Sequence, residues 1–311
     1  MTETKVAVVI ALYNEEAIIT ELAAEIEKHI QHPLVFVFVD DGSTDRTLDM
    51  LRSYAMVKAE NRKRIVVLSR NFGHHQAIMA GLFSVPEDAG LIVVMDGDFQ
   101  DNPGDIPAMM CKMAEGYDCV YAERTANSDC FIVDMMTRAF YKIQKSLFSF
   151  RLPENSGTFS VFNRSVLVNL LKFKESEIYF PGLRAYVGMR QVAHPVIRRN
   201  RAHGKSRVGF LGLINLAMSG ILGFTAVPMR LIFMFGLLTT MLCMFLGFVV
   251  FLLKVLGITQ IPGITTLLIV ILGFFGIQIM FTGAVGEYVG KMFLESKNRP
   301  RWFVREIVDE E

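Results

Sequence analysis

The strongest constraint on the fold is a long stretch without charge near the end of the chain. No residue from Leu231 to Leu253 is charged, and a second run from Gly263 to Gly286 is equally free of charge. A helix with the length of the first run would extend about 34 Å, and the hydrocarbon core of a bilayer is about 30 Å thick. Because buried helices of soluble proteins are usually shorter, the two runs predict transmembrane helices at 229–254 and 263–286.

The composition agrees with a chain that lies partly in lipid. Hydrophobic residues make up 52% of the 311 residues and charged residues 20%, a low share for a soluble protein. The net charge of +1 excludes nucleic-acid binding that depends on bulk charge. The 4 cysteines form no CxxC pair, so reduced thiols in a cytosolic compartment are expected rather than a disulfide framework or a zinc site.

Basic residues flank the two uncharged runs unequally. Five cations lie between 198 and 207 and five more between 291 and 305, whereas the loop between the runs carries only Lys254. By the positive-inside rule both large ends face the cytoplasm. The sequence therefore predicts a multi-pass protein of the cytoplasmic (inner) membrane whose termini and N-terminal domain are cytosolic.

Two further segments have the character of helices that lie along lipid headgroups. In the first, 131–150, apolar residues stand among Arg138, Lys142 and Lys145, and an ordinary amphipathic helix on the domain core is the alternative. The second comprises 201–228, where a basic loop precedes an apolar stretch rich in small residues.

The first 120 residues alternate short apolar runs with stretches of helical periodicity. The predicted strands are Val6–Leu12, Leu34–Val39, Ile65–Leu68 and Leu91–Met95, and the predicted helices are Glu16–Ile30, Thr44–Tyr54 and His74–Phe83. This alternation predicts a mostly parallel sheet covered on both faces. Ligands bind at the carboxyl ends of the strands in such sheets, and the polar clusters of this chain fall there.

The sharpest of these clusters follows the fourth predicted strand. Asp96, Asp98 and Gln100 stand there at alternate positions. Carboxylates next to a buried strand are costly unless they are paired or bound to metal, and their oxygens suit Mg²⁺ or Mn²⁺. The alternative is a solvated acidic turn.

Three other clusters each allow two interpretations. Asp40–Ser43 either binds a nucleobase or ribose or forms the turn and N-cap of the next helix. In Arg70–His75 a histidine is either a catalytic base or part of a polar helix start. The loop with Arg201, Lys205 and Arg207 is either a phosphate cradle at the membrane surface or simply a positive flank.

Six ordered motifs resemble those of polyprenyl-phosphate glycosyltransferases of glycosyltransferase family 2, which include bactoprenol glucosyltransferases and dolichol-phosphate mannosyltransferases. The matching stretches are VVIALYNEE (8–16), VDDGSTDRT (39–47), LSRNFGHHQAIMAGL (68–82), MDGDFQD (95–101), RAHGKSR (201–207) and GEYVGKMFLESKNRP (286–300). The resemblance implies an α/β GT-A (Rossmann-like) nucleotide-sugar domain at 1–200. Amphipathic interfacial helices, two transmembrane helices and a cytosolic tail at 287–311 would follow it.

The resemblance also implies roles for individual residues. The residues implied in nucleotide-sugar binding are Ala11, Tyr13, Glu15, Asp40, Asp41, Gly42 and Arg70. Asp96 and Asp98 would be catalytic and, with Gln100, would hold Mg²⁺ or Mn²⁺ on the diphosphate. Arg201, Lys205 and Arg207 would meet the phosphate of the donor or of the lipid acceptor.

The implied activity is transfer of a sugar from a nucleotide-sugar donor, with a UDP-sugar favoured, to a polyprenyl phosphate at the cytoplasmic membrane face. Undecaprenyl phosphate is the acceptor that the bacterial relatives imply. One metal-dependent displacement would invert the anomeric configuration and give a lipid-phosphate-sugar for modification of cell-envelope glycans. Whether the protein forms a homo-oligomer stays open.

The chain departs from the family pattern at several positions. Gly157–Ser160 reads G-T-F-S where relatives carry a G-D-F-R-like motif, and Pro181 stands where relatives often have arginine. Many relatives have proline at the position of Ala11. The lost acid and arginine suggest one alternative, a membrane-anchored nucleotide-sugar-binding scaffold without activity. A second is a polysaccharide synthase with a Q-x-x-R-W motif, although Asn298 stands in place of the glutamine.

Overall fold

The computed structural model describes residues 5–124, 156–175, 178–197 and 263–310, with scattered residues between 234 and 256. The chain divides into two compact units, the first formed by 1–209 and 299–311 and the second by 210–298. The predicted interfacial helices at 131–150 and 201–228 lie outside the described residues, as does most of the predicted span at 229–254.

The first unit is built around one eight-stranded sheet. Its strands are β1 (Lys5–Leu12), β2 (Leu34–Asp40), β3 (Arg62–Leu68), β4 (Ala89–Asp96), β5 (Cys119–Arg124), β6 (Ser156–Asn163), β7 (Gln191–Val196) and β8 (Val304–Glu310). The helices described in this unit are α1 (Ile19–His29), α2 (Thr47–Ser53), α3 (His74–Phe83), α4 (Ile106–Ala114), α5 (Arg164–Leu170) and α6 (Phe180–Tyr186). A single 3₁₀ turn, Pro103–Asp105, leads into α4.

The strand order is β7-β5-β6-β4-β1-β2-β3-β8. The four central strands β4-β1-β2-β3 are parallel, as the sequence predicts. This prediction, made from the first 120 residues, does not extend to the whole sheet, because β6 runs antiparallel to β4 and β5, and β8 runs antiparallel to β3, while β7 runs parallel to β5. The fold is therefore an α/β fold with a mixed sheet.

The central strands form the core and fix the register of the site. Every residue of β2 is buried, which suits its β-branched and aromatic sequence LVFVFVD. In the register of β1, Ala11 pairs with Val39 on one side and with Asp96 on the other. The carboxyl ends of β1, β2 and β4 therefore meet at one edge of the sheet.

Helix α3 lies close to the sheet because a glycine faces the strands. A Cβ atom at Gly81 would stand 2.5 Å from Cγ1 of Val9 and 2.8 Å from Cγ2 of Val39. The approach buries the second half of the helix, from Ala77 to Leu82. It also places the first residue of the helix, His74, at the same sheet edge as the strand ends.

The second unit contains one long helix, α7 (Ile264–Ser296), of 33 residues. The second predicted span, 263–286, falls within it, and the helix continues ten residues past the predicted boundary. Over the parts of the chain that the structure describes, no helix has both the length and the apolar character that crossing a bilayer requires. The two spans stay predictions from the sequence.

We expect the substitution Gly81→Ala to lower the free energy of unfolding by about 1–3 kcal/mol, because the added methyl group would overlap two β-branched side chains in a close-packed core. Thermal unfolding of the detergent-purified protein, followed by circular dichroism, measures this loss. Gly283→Ala is the matched control, since a Cβ atom at that helical position meets no atom of the described residues within 4 Å. Equal unfolding midpoints for the two variants would contradict the close approach of α3.

Candidate active site

The structure places the predicted donor-site residues at the carboxyl edge of the central strands. Ala11 lies near the end of β1, Asp40 ends β2 and Asp96 ends β4. The other described members lie in the loops that follow these strands and β3; they are Tyr13, Glu15, Asp41, Gly42, Arg70, Asp98 and Gln100. The sheet thus brings together residues that are up to about 90 positions apart in the chain. Arg201, Lys205 and Arg207 lie outside the described residues.

Hydrogen bonds join the loop after β1 to the loop after β2. The Asn14 N–H donates to Oγ of Ser43 over 3.0 Å, and the Thr44 N–H donates to Oδ1 of Asn14 over 2.8 Å. The Glu15 N–H donates to Oγ1 of Thr47 over 2.9 Å. Ser43 therefore does not cap α2, one of the two interpretations of its motif. It links two loops and helps to hold Tyr13 and Glu15 at the site edge.

Asp41 ties the loop after β2 to the loop after β3. Its buried carboxylate accepts the Phe72 N–H at Oδ1 over 2.7 Å and the Gly73 N–H at Oδ2 over 2.9 Å. Burial raises the pKa of Asp41, against these two hydrogen bonds, which lower it. Each oxygen thus serves a backbone donor, so the side chain positions the loop that carries Arg70.

Gly42 allows these two loops to touch. Its φ of 70° lies in the left-handed region, and a Cβ atom there would stand 2.6 Å from the carbonyl carbon of Arg70. Asp40, two residues before Gly42, is also buried and accepts the Ser43 N–H at Oδ1 over 3.1 Å. The Asp40–Ser43 motif therefore folds into a turn that is packed against the Arg70 loop.

Two donors converge on one carboxylate oxygen at the end of β4. Nε2 of His74 lies 3.0 Å from Oδ1 of Asp96, and the Thr158 hydroxyl donates a short hydrogen bond to the same atom. The Asp96 side chain is 15% exposed. Burial lowers the pKa of His74, but the hydrogen bond to Asp96 and the charge of Asp96 outweigh it, so the pKa is raised overall. The two donors fix the direction of the Asp96 carboxylate.

The neighbouring histidine has a different environment. Burial lowers the pKa of His75 to about 4, so its ring is neutral at neutral pH. Its Nδ1 has no hydrogen-bond partner among the described residues, and the ring meets that of Tyr179 edge-on at 5.7 Å. Of the two histidines that the sequence singled out, His74 therefore belongs to the polar site and His75 to the packing beneath it.

Asp98 and Gln100 lie in the turn that follows β4. The Gln100 N–H donates to Oδ1 of Asp98 over 3.2 Å, and Phe99 between them has a φ of 56°. In the described part of the chain no three or more His, Cys, Asp and Glu side chains form a metal site. The predicted set has two carboxylates and one amide. Such hard oxygen donors fit Mg²⁺, which keeps several waters and binds phosphate oxygens.

In the sequence, Thr158 was noted only as a position where relatives carry an acidic residue, yet it contacts Asp96 of the site directly. Its hydroxyl holds Asp96, and its carbonyl oxygen accepts the Ser160 hydroxyl over 2.9 Å. The pairing of β6 with β4, which sets Ser160 opposite Val94, brings Thr158 to this position. Thr158 is 62 residues from Asp96, and an antiparallel partner so distant leaves no periodic signal in the sequence.

A fully buried arginine on α6 was also missed. Arg184 donates from Nη1 to the Gly157 carbonyl over 3.1 Å and from Nη2 to Oγ of Ser156 over 2.5 Å. Its guanidinium lies 5.1 Å from the centre of the Tyr121 ring, and burial lowers its pKa. No carboxylate among the described residues pairs with it. The cation thus supports the first residues of β6, next to Thr158.

Comparisons with known proteins agree with this arrangement. The profile of the family described as "Glycosyl transferase family 2" matches residues 7–171. An uncharacterized glycosyltransferase, YkcC of Bacillus subtilis, is 32% identical over 303 residues, which cover 96% of this chain and 93% of that protein. The undecaprenyl-phosphate 4-deoxy-4-formamido-L-arabinose transferase of Edwardsiella ictaluri is 31% identical and covers 97% and 94%.

Among solved structures, glucosyl-3-phosphoglycerate synthase of Mycobacterium tuberculosis, in complex with Mn²⁺, UDP-glucose and phosphoglyceric acid, matches with a TM-score of 0.49. The identity is 17%, and the match covers 71% of this chain and 79% of that chain.

Proposed function

This chain belongs to glycosyl transferase family 2 and is a glycosyltransferase, and we propose that it transfers a sugar from a nucleotide-sugar donor to a polyprenyl phosphate. We favour a UDP-sugar as donor and undecaprenyl phosphate as acceptor. The similarity to an undecaprenyl-phosphate 4-deoxy-4-formamido-L-arabinose transferase over 97% of this chain supports the choice of acceptor.

One observation carries the proposal, namely the convergence of His74 and Thr158 on Asp96 at the end of β4. Asp98 stands two residues further on, and the loops of Asp40 and Asp41 border the same sheet edge. A carboxylate whose direction is fixed by two donors suits a reaction in which the enzyme mainly positions its reactants.

The loops after β1, β2 and β3 provide the binding surface for the donor. They are held to one another by the hydrogen bonds of Asn14 and Asp41, so the surface exists before any nucleotide binds. Preformed loops lower the ordering cost of binding. We assign Tyr13, Glu15 and Asp40 to the nucleoside and Arg70 to the diphosphate.

The reaction requires little acid–base chemistry from the protein. A lipid phosphate is already an anion at neutral pH, so it can attack the anomeric carbon without a strong general base. Direct in-line attack inverts the anomeric configuration, and Asp96 lies nearest the reacting centre in this arrangement. Asp96, Asp98 and Gln100 would hold Mg²⁺ or Mn²⁺, which would supply Lewis-acid stabilisation of the departing nucleoside diphosphate.

The changed G-T-F-S motif is compatible with this activity. Thr158 cannot act as a base, but its hydroxyl orients Asp96 and leaves the carboxylate cluster complete. This favours an enzyme over the inactive scaffold. The Arg301-Trp302 pair, which suggested a synthase, packs against Phe83 at the end of α3 opposite His74. Since Asn298 stands in place of the glutamine, the Q-x-x-R-W motif is incomplete, which favours transfer of a single sugar.

A transfer assay tests the proposal as a whole. Detergent-purified protein with Mg²⁺ or Mn²⁺ and undecaprenyl phosphate is offered a panel of UDP- and GDP-sugars, and lipid products are read by mass spectrometry. We expect one sugar-monophosphate lipid. Binding of a nucleotide sugar without any lipid product would favour the scaffold instead.

We expect Asp98→Asn to reduce metal-dependent transfer to the level without metal, because the amide is a weaker ligand and carries no charge. The folded state should persist, as judged by an unchanged unfolding midpoint. Asp88→Asn is the matched control, since Asp88 is exposed and forms an ion pair with Lys5. Full activity of the Asp98 variant would exclude its role at the metal.

Thr158→Val should lower kcat by about 10- to 100-fold, the usual effect of removing a group that orients a ligand or catalytic residue. Valine keeps the shape of threonine but cannot donate to Asp96, whereas Thr158→Ser keeps the donor. The serine variant should therefore retain most of the activity in the same transfer assay. Equal activity of the valine variant and the unmodified protein would show that Asp96 does not depend on this hydrogen bond.

A further inference from the structure

The end of the chain returns to the sheet beside the candidate site. Strand β8 pairs with β3 along its length, and the last pair joins Val304 to Leu68. The contact continues one residue further, where the Ser69 N–H donates to the Phe303 carbonyl over 2.9 Å. The loop that follows β3 is thus attached to the C-terminal segment at its first residue.

A stack of side chains extends this attachment towards the donor surface. The Phe303 ring lies 6.3 Å from that of Phe72. The Arg70 guanidinium covers the Phe72 ring at 4.0 Å. Phe72 also supplies one of the two N–H groups that bind Asp41. One short loop therefore contacts the C-terminal segment on one side and the buried carboxylate of Asp41 on the other.

Ion pairs hold β8 in place as the edge strand. Asp309 receives two hydrogen bonds from Arg64, at 2.5 and 3.1 Å. Glu310 lies 2.8 Å from the ammonium of Lys63, whose side chain is 2% exposed and also donates to three backbone carbonyls. Glu306 pairs with Arg52 at 2.6 Å. The two-point and buried contacts are of the kind that contribute most among ion pairs.

We propose that Phe303, at the start of the C-terminal strand β8, is a positioning residue for the loop Ser69–Gly73 of the donor site. The inference rests on the proposed function, because it concerns how the nucleotide sugar is bound. Phe303 itself is 56% exposed and acts through Phe72. Without its ring, the loop that carries Arg70 and binds Asp41 would have to be ordered by the donor.

The kinetic test is the variant Phe303→Ala in the full chain. A loop that the donor must order raises KM for the nucleotide sugar, whereas kcat at saturating donor changes little. We expect KM to rise about threefold to tenfold, the range that follows from the loss of one aromatic pair. Phe303→Tyr keeps the ring and should restore the original KM.

A double-mutant cycle identifies the path of the effect. If Phe303 acts through Phe72, Phe303→Ala should raise KM much less in a Phe72→Ala background than in the unmodified protein. Asp88→Asn is the matched control, because it removes an exposed ion pair with Lys5 that lies at the opposite end of the strands from the loop. Fully additive effects, or an equal rise in KM for the Asp88 variant, would overturn the role of Phe303.

Amide hydrogen exchange separates this inference from the proposed function. Phe303→Ala should accelerate exchange in the peptide 69–73 by about threefold to tenfold, with no change in β1, whatever the substrate is. Unchanged exchange would overturn the inference, and so would faster exchange with an unchanged KM. If the unmodified protein transfers no sugar, the proposed function fails, and exchange alone decides whether Phe303 positions the loop.

Discussion

Two backbone N–H groups that converge on the buried carboxylate of Asp41 hold the candidate site together. These donors, from Phe72 and Gly73, belong to a different strand loop from their acceptor, so the contact fixes two loops at once. Burying a carboxylate is unfavourable unless its oxygens are satisfied, and here each oxygen has a backbone donor. Since Gly73 immediately precedes α3, the same contact sets where that helix begins and brings His74 to Asp96.

The central part of the fold could be predicted from the sequence because its signals are local. The four apolar runs became β1 to β4, and the helix His74–Phe83 was predicted with the bounds that it has. The mixed character of the sheet could not be predicted in the same way. Strand β8 reads VREIVDE, and its charges, which pair with basic residues of β3 and α2, give it the composition of a solvated tail. Its partner strand is far away in the chain; Arg64 and Asp309, for example, are 245 residues apart.

The residues of the candidate site, too, were predictable where the signal is local and not where it depends on distant strands. Asp96, Asp98 and the Asp40–Ser43 turn follow predicted strands, so the topology of parallel sheets was enough to bring them together. The sequence could not tell which of them serve the fold. From its residue type and position, Asp41 would be expected to bind a ligand, yet both its carboxylate oxygens accept backbone N–H groups. Thr158 has no residue type that suggests a site, yet its hydroxyl contacts Asp96. The sequence could not reveal this contact, because it depends on the register between β4 and β6.

The substitutions in the G-T-F-S motif make physical sense when Arg184 is considered with them. A buried guanidinium without a carboxylate partner in the described structure is costly, and it persists only where other groups satisfy it. Here the acceptors are the Gly157 carbonyl and the Ser156 hydroxyl, at the very start of β6. An aspartate at position 158 would add a second carboxylate beside Asp96 and raise the cost of ionising both. A threonine avoids this repulsion and donates a hydrogen bond to Asp96. The motif therefore retains a polar contact to the site, while Arg184 holds the first residues of β6.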